Sequence, residues 1–355
     1  MKYQRPDYMQ PGIPTQTVPL AFSSDEMVVP QFEYPISVKE NFDRAADRED
    51  PVWVPNTALE CVNLMLPDLT GASEQIWGSD ERYDWTDDFG CQWTYVPSAG
   101  GSMLKPGTQL LDDITEWDTK IKFPLPDEAV VKACCEKFME TRYDPDKIIS
   151  VNVGQGCTER LVAILGGYTE GMLSFVTEPE ACRDFCLAFA DYLTAAIDMI
   201  CKYLPIGCMT YHDDWGTERD TFFSPAQMEE IVFDASAKVF GRIKQNGRMI
   251  FHSCGKIERF MPYICELGPD FLQIQERAND FAMLKREYGD RVGFNNFVGQ
   301  QPGWSTEDYL REVHRNVDLL GAGGGLTVYQ LTNDPQTSWA GASEIFYYSR
   351  EYYGK

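Results

Sequence analysis

The chain has 355 residues, of which 43% are hydrophobic and 24% are charged, a composition typical of a globular protein. Its 55 acidic and 31 basic residues give a formal net charge of −24, which argues against binding to nucleic acid or to anionic lipid. The 11 cysteines show no spacing typical of a disulfide framework, and no secretory signal or long apolar run is found. We therefore predict a cytoplasmic protein with reduced thiols and no membrane span.

The first part of the chain is rich in proline and irregular in pattern. We predict that residues 1–57 form an N-terminal extension that packs on a single domain of residues 58–355. Between residues 58 and 125, short apolar and aromatic runs are interrupted by Gly and Pro, as in "CVNLMLPDLTG" and "DDFGCQWTYVPSAGG". This pattern predicts short strands and turns.

From residue 126 onward, strand-like and helix-like segments alternate at least six times. The strands are predicted in "KIISVNV", "GCMTYH", "RMIFHS", "PDFLQIQ", "RVGFNNF" and "GGLTVYQL", with amphipathic segments between them. Such alternation is typical of a parallel sheet with crossover helices. We predict a (β/α)8 TIM barrel, with a doubly wound sheet as the alternative.

Polar residues collect at the ends of these predicted strands. In parallel barrels the carboxyl ends of the strands carry the chemistry, because they meet at one open rim. Burying so many polar groups is costly unless they bind one another, water, a metal or a ligand. We therefore predict a functional pocket formed by Gln155, Cys157, His212, Asp213, Asp214, His252, Cys254, Gln273, Gln275, Glu276, Asn295, Asn296, Gln330 and Asn333.

His252 and Cys254 are the strongest candidates for metal ligands in this set. Residues i and i+2 of a strand project to the same face, and an imidazole with a thiolate is a donor pair that suits Zn²⁺. We also expect the helix that follows Gly255 to lower the pKa of the Cys254 thiol. The third ligand stays open: Cys157, Cys91 or one of the two aspartates that follow His212 could supply it.

The stretch "HDDWGTERD" gives a second group of candidates. Two adjacent aspartates invite general acid and base catalysis or substrate anchoring, because like charges raise one pKa. In a strand they face opposite ways, so one of them is expected to hold an arginine or a backbone amide instead. We predict catalytic roles for His212, Asp213 and Asp214, and substrate contacts for Gln155, Gln273, Gln275, Asn295 and Gln330.

Several segments resemble one known superfamily. "FHSCGKIERFMPYICELGPDFLQIQ", "GQGCTERLVAILGGYTEGMLSFVTEPEACRDF" and "HDDWGTERDTFFSP" are similar to uroporphyrinogen decarboxylase superfamily members of the corrinoid-dependent methyltransferase branch. The resemblance covers about residue 60 to the end and implies a (β/α)8 barrel that works with a corrinoid carried by a partner protein. In thiol-methylating members, a His-x-Cys pair and a later Cys bind zinc. His252 and Cys254 match the pair, but "GGGLTVYQLTNDPQTS" contains no Cys.

The decarboxylases of this superfamily carry an N-terminal Arg-Gln-Ala-Gly-Arg motif that holds the carboxylates of a tetrapyrrole, and this chain has none. An acidic protein without an arginine cluster is poorly equipped to bind a polycarboxylate. We therefore predict a corrinoid-dependent methyltransferase that acts on a small methylated or methoxylated substrate or a thiol. The alternatives are a decarboxylase of the uroporphyrinogen type and a barrel that binds a ligand without catalysis.

Overall fold

A computed structural model describes residues 7–8, 12–19, 26–73, 75–76 and 78–354 of the chain. The strands in the described residues are β1 (Thr15–Pro19), β2 (Glu26–Pro30), β3 (Cys61–Met65), β4 (Tyr83–Thr86), β5 (Gln92–Val96), β6 (Gly101–Leu104), β7 (Ile148–Val153), β8 (Cys208–His212), β9 (Arg248–Ser253), β10 (Phe271–Ile274), β11 (Gly293–Gly299) and β12 (Leu326–Leu331).

The helices follow the predicted alternation, and a turn of 3₁₀ helix precedes α11 at Glu258–Phe260. They are α1 (Val38–Asp47), α2 (Thr57–Glu60), α3 (Leu66–Thr70), α4 (Trp117–Lys120), α5 (Glu128–Thr141), α6 (Cys157–Ile164), α7 (Tyr168–Thr177), α8 (Pro179–Cys201), α9 (Pro225–Gln227), α10 (Phe233–Asn246), α11 (Met261–Leu267), α12 (Phe281–Tyr288), α13 (Thr306–Leu320) and α14 (Pro335–Tyr353). Among the described residues, none of these helices combines the length and the apolar composition that a membrane crossing requires.

A seven-stranded sheet forms the centre of the fold, in the order β12-β11-β10-β9-β8-β7-β3. Every neighbouring pair is parallel, so the predicted parallel sheet with crossover helices is confirmed. The predicted short strands before residue 125 include the antiparallel sheet of β4, β5 and β6.

The two edges of the seven-stranded sheet come together, because Asn56 forms a parallel bridge with Val328 of β12. The Val328 N–H donates to the carbonyl of Pro55 at 2.9 Å, and β3 begins only five residues after Asn56. The sheet is therefore curled, as in a TIM barrel. The described residues give it seven strands, and the predicted eighth strand is not confirmed: the Asn56 side chain caps α2 at the position where a longer strand would run.

Alternate strand residues face the inside of the curl and the outer helices. At the amino ends of the strands, the inward residues are apolar and pack against the N-terminal segment, where Phe42 of α1 and Trp53 are both buried. The inward residues of this layer are Cys61, Ile148, Cys208, Ile250 and Phe271. The outward residues, such as Val151, Met209 and Phe251, belong to the larger core beneath the helices.

Helix starts are set by short polar side chains. Ser224 accepts from the backbone N–H of Gln227, and the Gln227 side chain accepts from the N–H of Ser224, which completes a capping box before Pro225. Ser305 and Asp308 form a capping box before α13, and the Asp334 side chain caps α14 by accepting from the N–H of Thr337. These caps fix where each helix begins and therefore where the loops at the carboxyl ends of the strands run.

Candidate metal centre

Three side chains that could bind a metal converge at the carboxyl ends of β8 and β9. His252 lies on β9, Cys254 follows that strand by one residue, and Asp214 follows β8 by two. One ligand atom from each residue lies within 4.8 Å of the others. The Nε2 atom of His252 is 3.5 Å from the Cys254 sulfur and 3.8 Å from Oδ1 of Asp214. The predicted convergence of the imidazole and the thiol is therefore present.

The group faces a space that is open to solvent. On the upper part of six strands, the inward residues are partly exposed, whereas outward neighbours such as Val151, Tyr211, Phe251 and Val298 are buried. The partly exposed inward residues are Met65, Asn152, His212, His252, Phe297 and Tyr329. The side chains of His252 and Asp214 are 17% and 24% exposed, so the site lies at the mouth of the barrel and not in a sealed core.

Both imidazoles of this layer are held neutral. Burial lowers the pKa of His252, although the nearby Asp214 carboxylate acts in the opposite direction. Burial and the adjacent His252 lower the pKa of His212 well below its ordinary value. His212 and His252 are paired in register, and their ring centres are 4.7 Å apart. Neutral imidazoles are the form that binds metal ions.

The expected fall in the pKa of the Cys254 thiol is wrong. Burial and the Asp214 carboxylate raise this pKa well above its ordinary value. The helical segment after Gly255 begins only with the 3₁₀ turn at Glu258. Asp214 Oδ1 also accepts from the Cys254 backbone N–H at 2.7 Å. Without a metal, Cys254 is therefore a neutral thiol at neutral pH, and metal binding must release its proton.

Asp213 faces away from the cavity, as expected for one of two adjacent strand residues. It is fully buried, and its Oδ1 accepts from the hydroxyl and N–H of Thr158 and from the N–H of Glu159, at 2.5, 3.1 and 3.0 Å. Burial raises the pKa of Asp213 to about 6. Its carboxyl group holds the start of α6, and Gly156 is required there because a Cβ atom would collide with Asp213.

The residues predicted to contact substrate separate into two groups. Gln273 and Asn295 face the interior and join His252 in one hydrogen-bonded chain. Gln275 accepts from the N–H of Gly255 at 3.2 Å, and Gln155 bonds Arg160. Gln330 lies on the outer face of β12, where it accepts from Asn56 and donates to the carbonyl of Ser338, both at 2.9 Å. This position is outside the cavity.

The family model for uroporphyrinogen decarboxylase (URO-D) matches residues 86–295, which is more than half of the chain. The chain belongs to the uroporphyrinogen decarboxylase family. The superfamily expected from the sequence segments is therefore confirmed, and the matched residues include the whole group of Asp214, His252 and Cys254.

Solved structures show how the fold relates to known proteins. A methyltransferase from Methanosarcina mazei superposes with a TM-score of 0.56 at 12% identity, over 89% of this chain and 99% of that one. A B12-independent methionine synthase from Shewanella sp. W3-18-1 gives a TM-score of 0.36 at 10% identity, over 77% of this chain and 73% of that one. No curated protein sequence matches the chain. At these identities the first likeness shows a shared fold.

The three donor atoms fit a zinc ion. Typical bond lengths of about 2.3 Å to sulfur and about 2.0 Å to nitrogen separate the two atoms by about 3.5 Å in a tetrahedral site. That is the distance between the Cys254 sulfur and Nε2 of His252. Oδ1 of Asp214, at 3.8 Å from the same Nε2 atom, could serve as the third ligand, and three protein ligands leave one position for substrate.

Of the candidates for the third ligand, the two cysteines lie elsewhere. Cys157 is fully buried beside Tyr211 and Cys186. Cys91 is also buried, and its sulfur accepts from Arg160 at 3.7 Å. Among the described residues, the potential metal ligands come together only as Asp214, His252 and Cys254.

Glu159 and Tyr168 were not predicted, and the charge of Asp214 acts on the pKa of both residues. Burial, Asp214 and Asp213 raise the pKa of Glu159 well above its ordinary value, and the pKa of Tyr168 is raised by burial, Glu159 and Asp214. Both residues lie on the helices after β7. The spacing of residues within a helix does not indicate which charged groups of other elements lie near it, so these two residues carry no signal in the sequence.

Proposed function

We propose that the chain is a methyltransferase of a corrinoid-dependent system, with a zinc ion held by Asp214, His252 and Cys254. The observation that carries the proposal is the meeting of these three donors at the open mouth of a barrel of this family. The likeness in fold to the Methanosarcina mazei methyltransferase supports the reaction class. The partner would be a separate corrinoid protein, and the setting the cytoplasm, in keeping with 11 free cysteines.

The charge of the cavity wall favours methyl transfer over decarboxylation of a tetrapyrrole. From the middle of the seven central strands upward, the described inward residues include Ser150, Thr210 and Thr327 and contain neither Lys nor Arg. Arg248 lies at the other end of β9, where Asp43 and Asp47 pair with it. A porphyrinogen with several carboxylates needs cationic partners in its site.

The chain's own groups would bind and orient a small substrate. Phe297 and Tyr329 form an aromatic wall, with ring centres 5.5 Å apart, on the side of the cavity next to His252. The Asp214 carboxylate bonds the backbone N–H of Cys254 and thereby holds that residue beside His252. A zinc ion in this set supplies a Lewis acid that keeps a thiolate, or a leaving oxygen, anionic at neutral pH.

The test combines metal analysis with a transfer assay. We expect about one zinc per chain in the purified protein, and methylation of added cob(I)alamin by methylated thiols or aromatic methyl ethers. The variants His252→Ala, Cys254→Ser and Asp214→Ala should lose zinc and transfer together, because each removes one of three ligands. Cys265→Ser is the matched control, since Cys265 lies on α11 outside the group.

Three outcomes contradict the proposal. A metal-free protein whose transfer activity survives all three ligand variants would remove the zinc mechanism. Release of carbon dioxide from uroporphyrinogen, with no methyl transfer to cobalamin, would establish the decarboxylase instead. A protein that binds methylated compounds in calorimetry but turns over none of them would support the non-catalytic barrel.

A further inference from the structure

Two neutral imidazoles lie side by side in the barrel mouth, and only one of them belongs to the metal group. His212 and His252 occupy matched positions on adjacent strands, with ring centres 4.7 Å apart. A metal binds the ring nitrogen that carries no proton, and the hydrogen bond made by the other nitrogen decides which one that is. The partners of each ring therefore determine which histidine can be a ligand.

The donors and acceptors of the hydrogen bonds that lead to His252 can be assigned one after another, starting from the backbone carbonyl of Val328. The Thr57 hydroxyl donates its single proton to the carbonyl of Val328 at 3.0 Å, so toward Asn295 it can only accept. The group of Asn295 that faces Thr57 at 3.3 Å is therefore the amide nitrogen. The same nitrogen donates to the hydroxyl of Thr327 at 2.7 Å. These two bonds fix the orientation of the Asn295 amide.

The orientation of the Asn295 amide in turn determines the orientation of the Gln273 amide and the tautomer of His252. The oxygen of Asn295 faces Gln273 and accepts from its amide nitrogen at 2.5 Å. The Gln273 oxygen is left facing Nδ1 of His252 at 2.8 Å. An amide oxygen only accepts, so Nδ1 of His252 carries the proton and Nε2 keeps its lone pair. That lone pair belongs to the nitrogen nearest Cys254 and Asp214.

The bonds on the His212 side give the opposite result. The amide nitrogen of Asn152 donates to the carbonyl of Leu64 at 3.2 Å, which leaves the amide oxygen facing Nε2 of His212 at 3.1 Å. Because that oxygen only accepts, Nε2 of His212 carries the proton. The two neighbouring rings are therefore opposite tautomers, and Nε2 is free to bind a metal in His252 alone.

We propose that Thr57, Asn295 and Gln273 form a relay of hydrogen bonds that holds His252 as the tautomer protonated on Nδ1. Gln273 and Asn295 are then positioning residues, which act on the metal through the imidazole. All three relay residues are at most 5% exposed, so water does not compete for their bonds. Thr57 belongs to the segment that joins the two edges of the sheet. The segment that closes the barrel therefore also contributes to the tautomer of His252.

The first test reads the tautomers directly in the metal-free protein. The chain contains only three histidines, so ¹⁵N-histidine labelling gives a spectrum that His212→Asn, His252→Ala and His314→Gln assign. At pH 7.5 we expect His252 to be protonated on Nδ1 and His212 on Nε2. A spectrum in which both rings are protonated on Nε2, or in which the two tautomers are exchanged, would overturn the relay. This measurement does not depend on the proposed methyl transfer.

The second test breaks the relay and rests on the metal site of the proposed function. Gln273→Leu should lower the affinity for zinc alone, measured by competition with a chelator, by roughly 10- to 100-fold. It should also give His252 as a mixture of tautomers. Gln330→Leu is the matched control, because Gln330 is equally buried but bonds Asn56 and Ser338. A folded Gln273→Leu protein with unchanged tautomer and zinc affinity would overturn the proposal. If this variant does not fold, the first test alone decides the proposal.

Discussion

The two ends of the barrel use the same strands for opposite purposes. At the amino ends, inward residues such as Ile250 and Phe271 are apolar and covered by Phe42 and Trp53. Two residues further along the same strands stand His252 and Gln273, in a layer that is polar and reaches solvent at His252. A step of two residues along a strand therefore stays on the inward face of the sheet but replaces an apolar side chain with a polar one. The covered end is packed with apolar side chains, and the reactive groups collect at the open one.

Acidic residues at the two ends of the barrel also differ in burial and in their surroundings. Glu60, at the covered end, is 4% exposed, and one of its oxygens accepts from the indole of Trp53 at 2.9 Å and the N–H of Asn56 at 3.2 Å. Burial raises its pKa to about 8, so it is a neutral acid inside the fold. Asp214, at the open end, is partly exposed and lies against two other potential ligands. One carboxyl group stabilises the fold and the other is available for chemistry.

The largest effect is expected at the covered end. Trp53→Ala removes a fully buried indole and its bond to Glu60, which should lower the free energy of unfolding by about 3–5 kcal/mol. Urea unfolding measures this loss, and zinc analysis of the folded fraction should show unchanged stoichiometry. The reciprocal variant, Cys254→Ser, should lose zinc with little change in the unfolding of the metal-free protein. If Trp53→Ala loses zinc while remaining as stable as the unmodified chain, the division between the two ends is incorrect.

The second-largest effect is expected in the pH dependence of stability, which the protonation of Glu60 controls. The folded protein keeps this proton up to a pKa of about 8, whereas the unfolded chain releases it near 4.5. Between these values the folded state binds more protons, so stability falls as the pH rises, by up to about 1.4 kcal/mol per unit. From pH 5.5 to 7.5, Glu60→Gln should therefore gain about 2–3 kcal/mol relative to the unmodified chain. Parallel slopes for the two proteins would show that Glu60 titrates as it does in water.

Much of this arrangement could be predicted from the sequence. The alternation of strands and helices identified the parallel sheet, and the i, i+2 spacing placed His252 and Cys254 on one face. Both predictions depend on local periodicity, which the chain carries directly. The polar ends of the strands also indicated which end of the barrel is open.

What could not be predicted depends on distances between separate strands. The sequence left Asp213 and Asp214 equivalent, and only the packing of α6 against β8 assigns Asp213 to the helix start. The outward position of Gln330 follows from its bonds to Asn56 and Ser338. The raised pKa of Cys254 comes from burial and from Asp214, which is 40 residues away in the chain. Contacts between residues so far apart in the chain cannot be inferred from sequence spacing.

The pair of adjacent aspartates allows a smaller and sharper comparison. Asp213→Asn keeps the size of the side chain but weakens its hold on Thr158 and Glu159, and should cost about 1–2 kcal/mol of unfolding free energy. Its zinc affinity should stay within about twofold of the unmodified chain. Asp214→Asn should do the reverse, with lost zinc and little loss of stability. Equal effects of the two substitutions on zinc would mean that the adjacent carboxyl groups share one role.

The smallest effect is expected from the aromatic wall, where the two faces of a single strand can be compared. Phe297 faces the cavity beside Tyr329 and His252, whereas Phe294 is fully buried on the outer face of β11 against Phe281. Phe297→Leu should raise the KM for an apolar methylated substrate by roughly three- to tenfold, about 1 kcal/mol of binding. Zinc content should not change. Phe294→Leu should lower the unfolding free energy by about 1 kcal/mol or more and leave KM unchanged. If both variants change only stability, the substrate does not contact this wall.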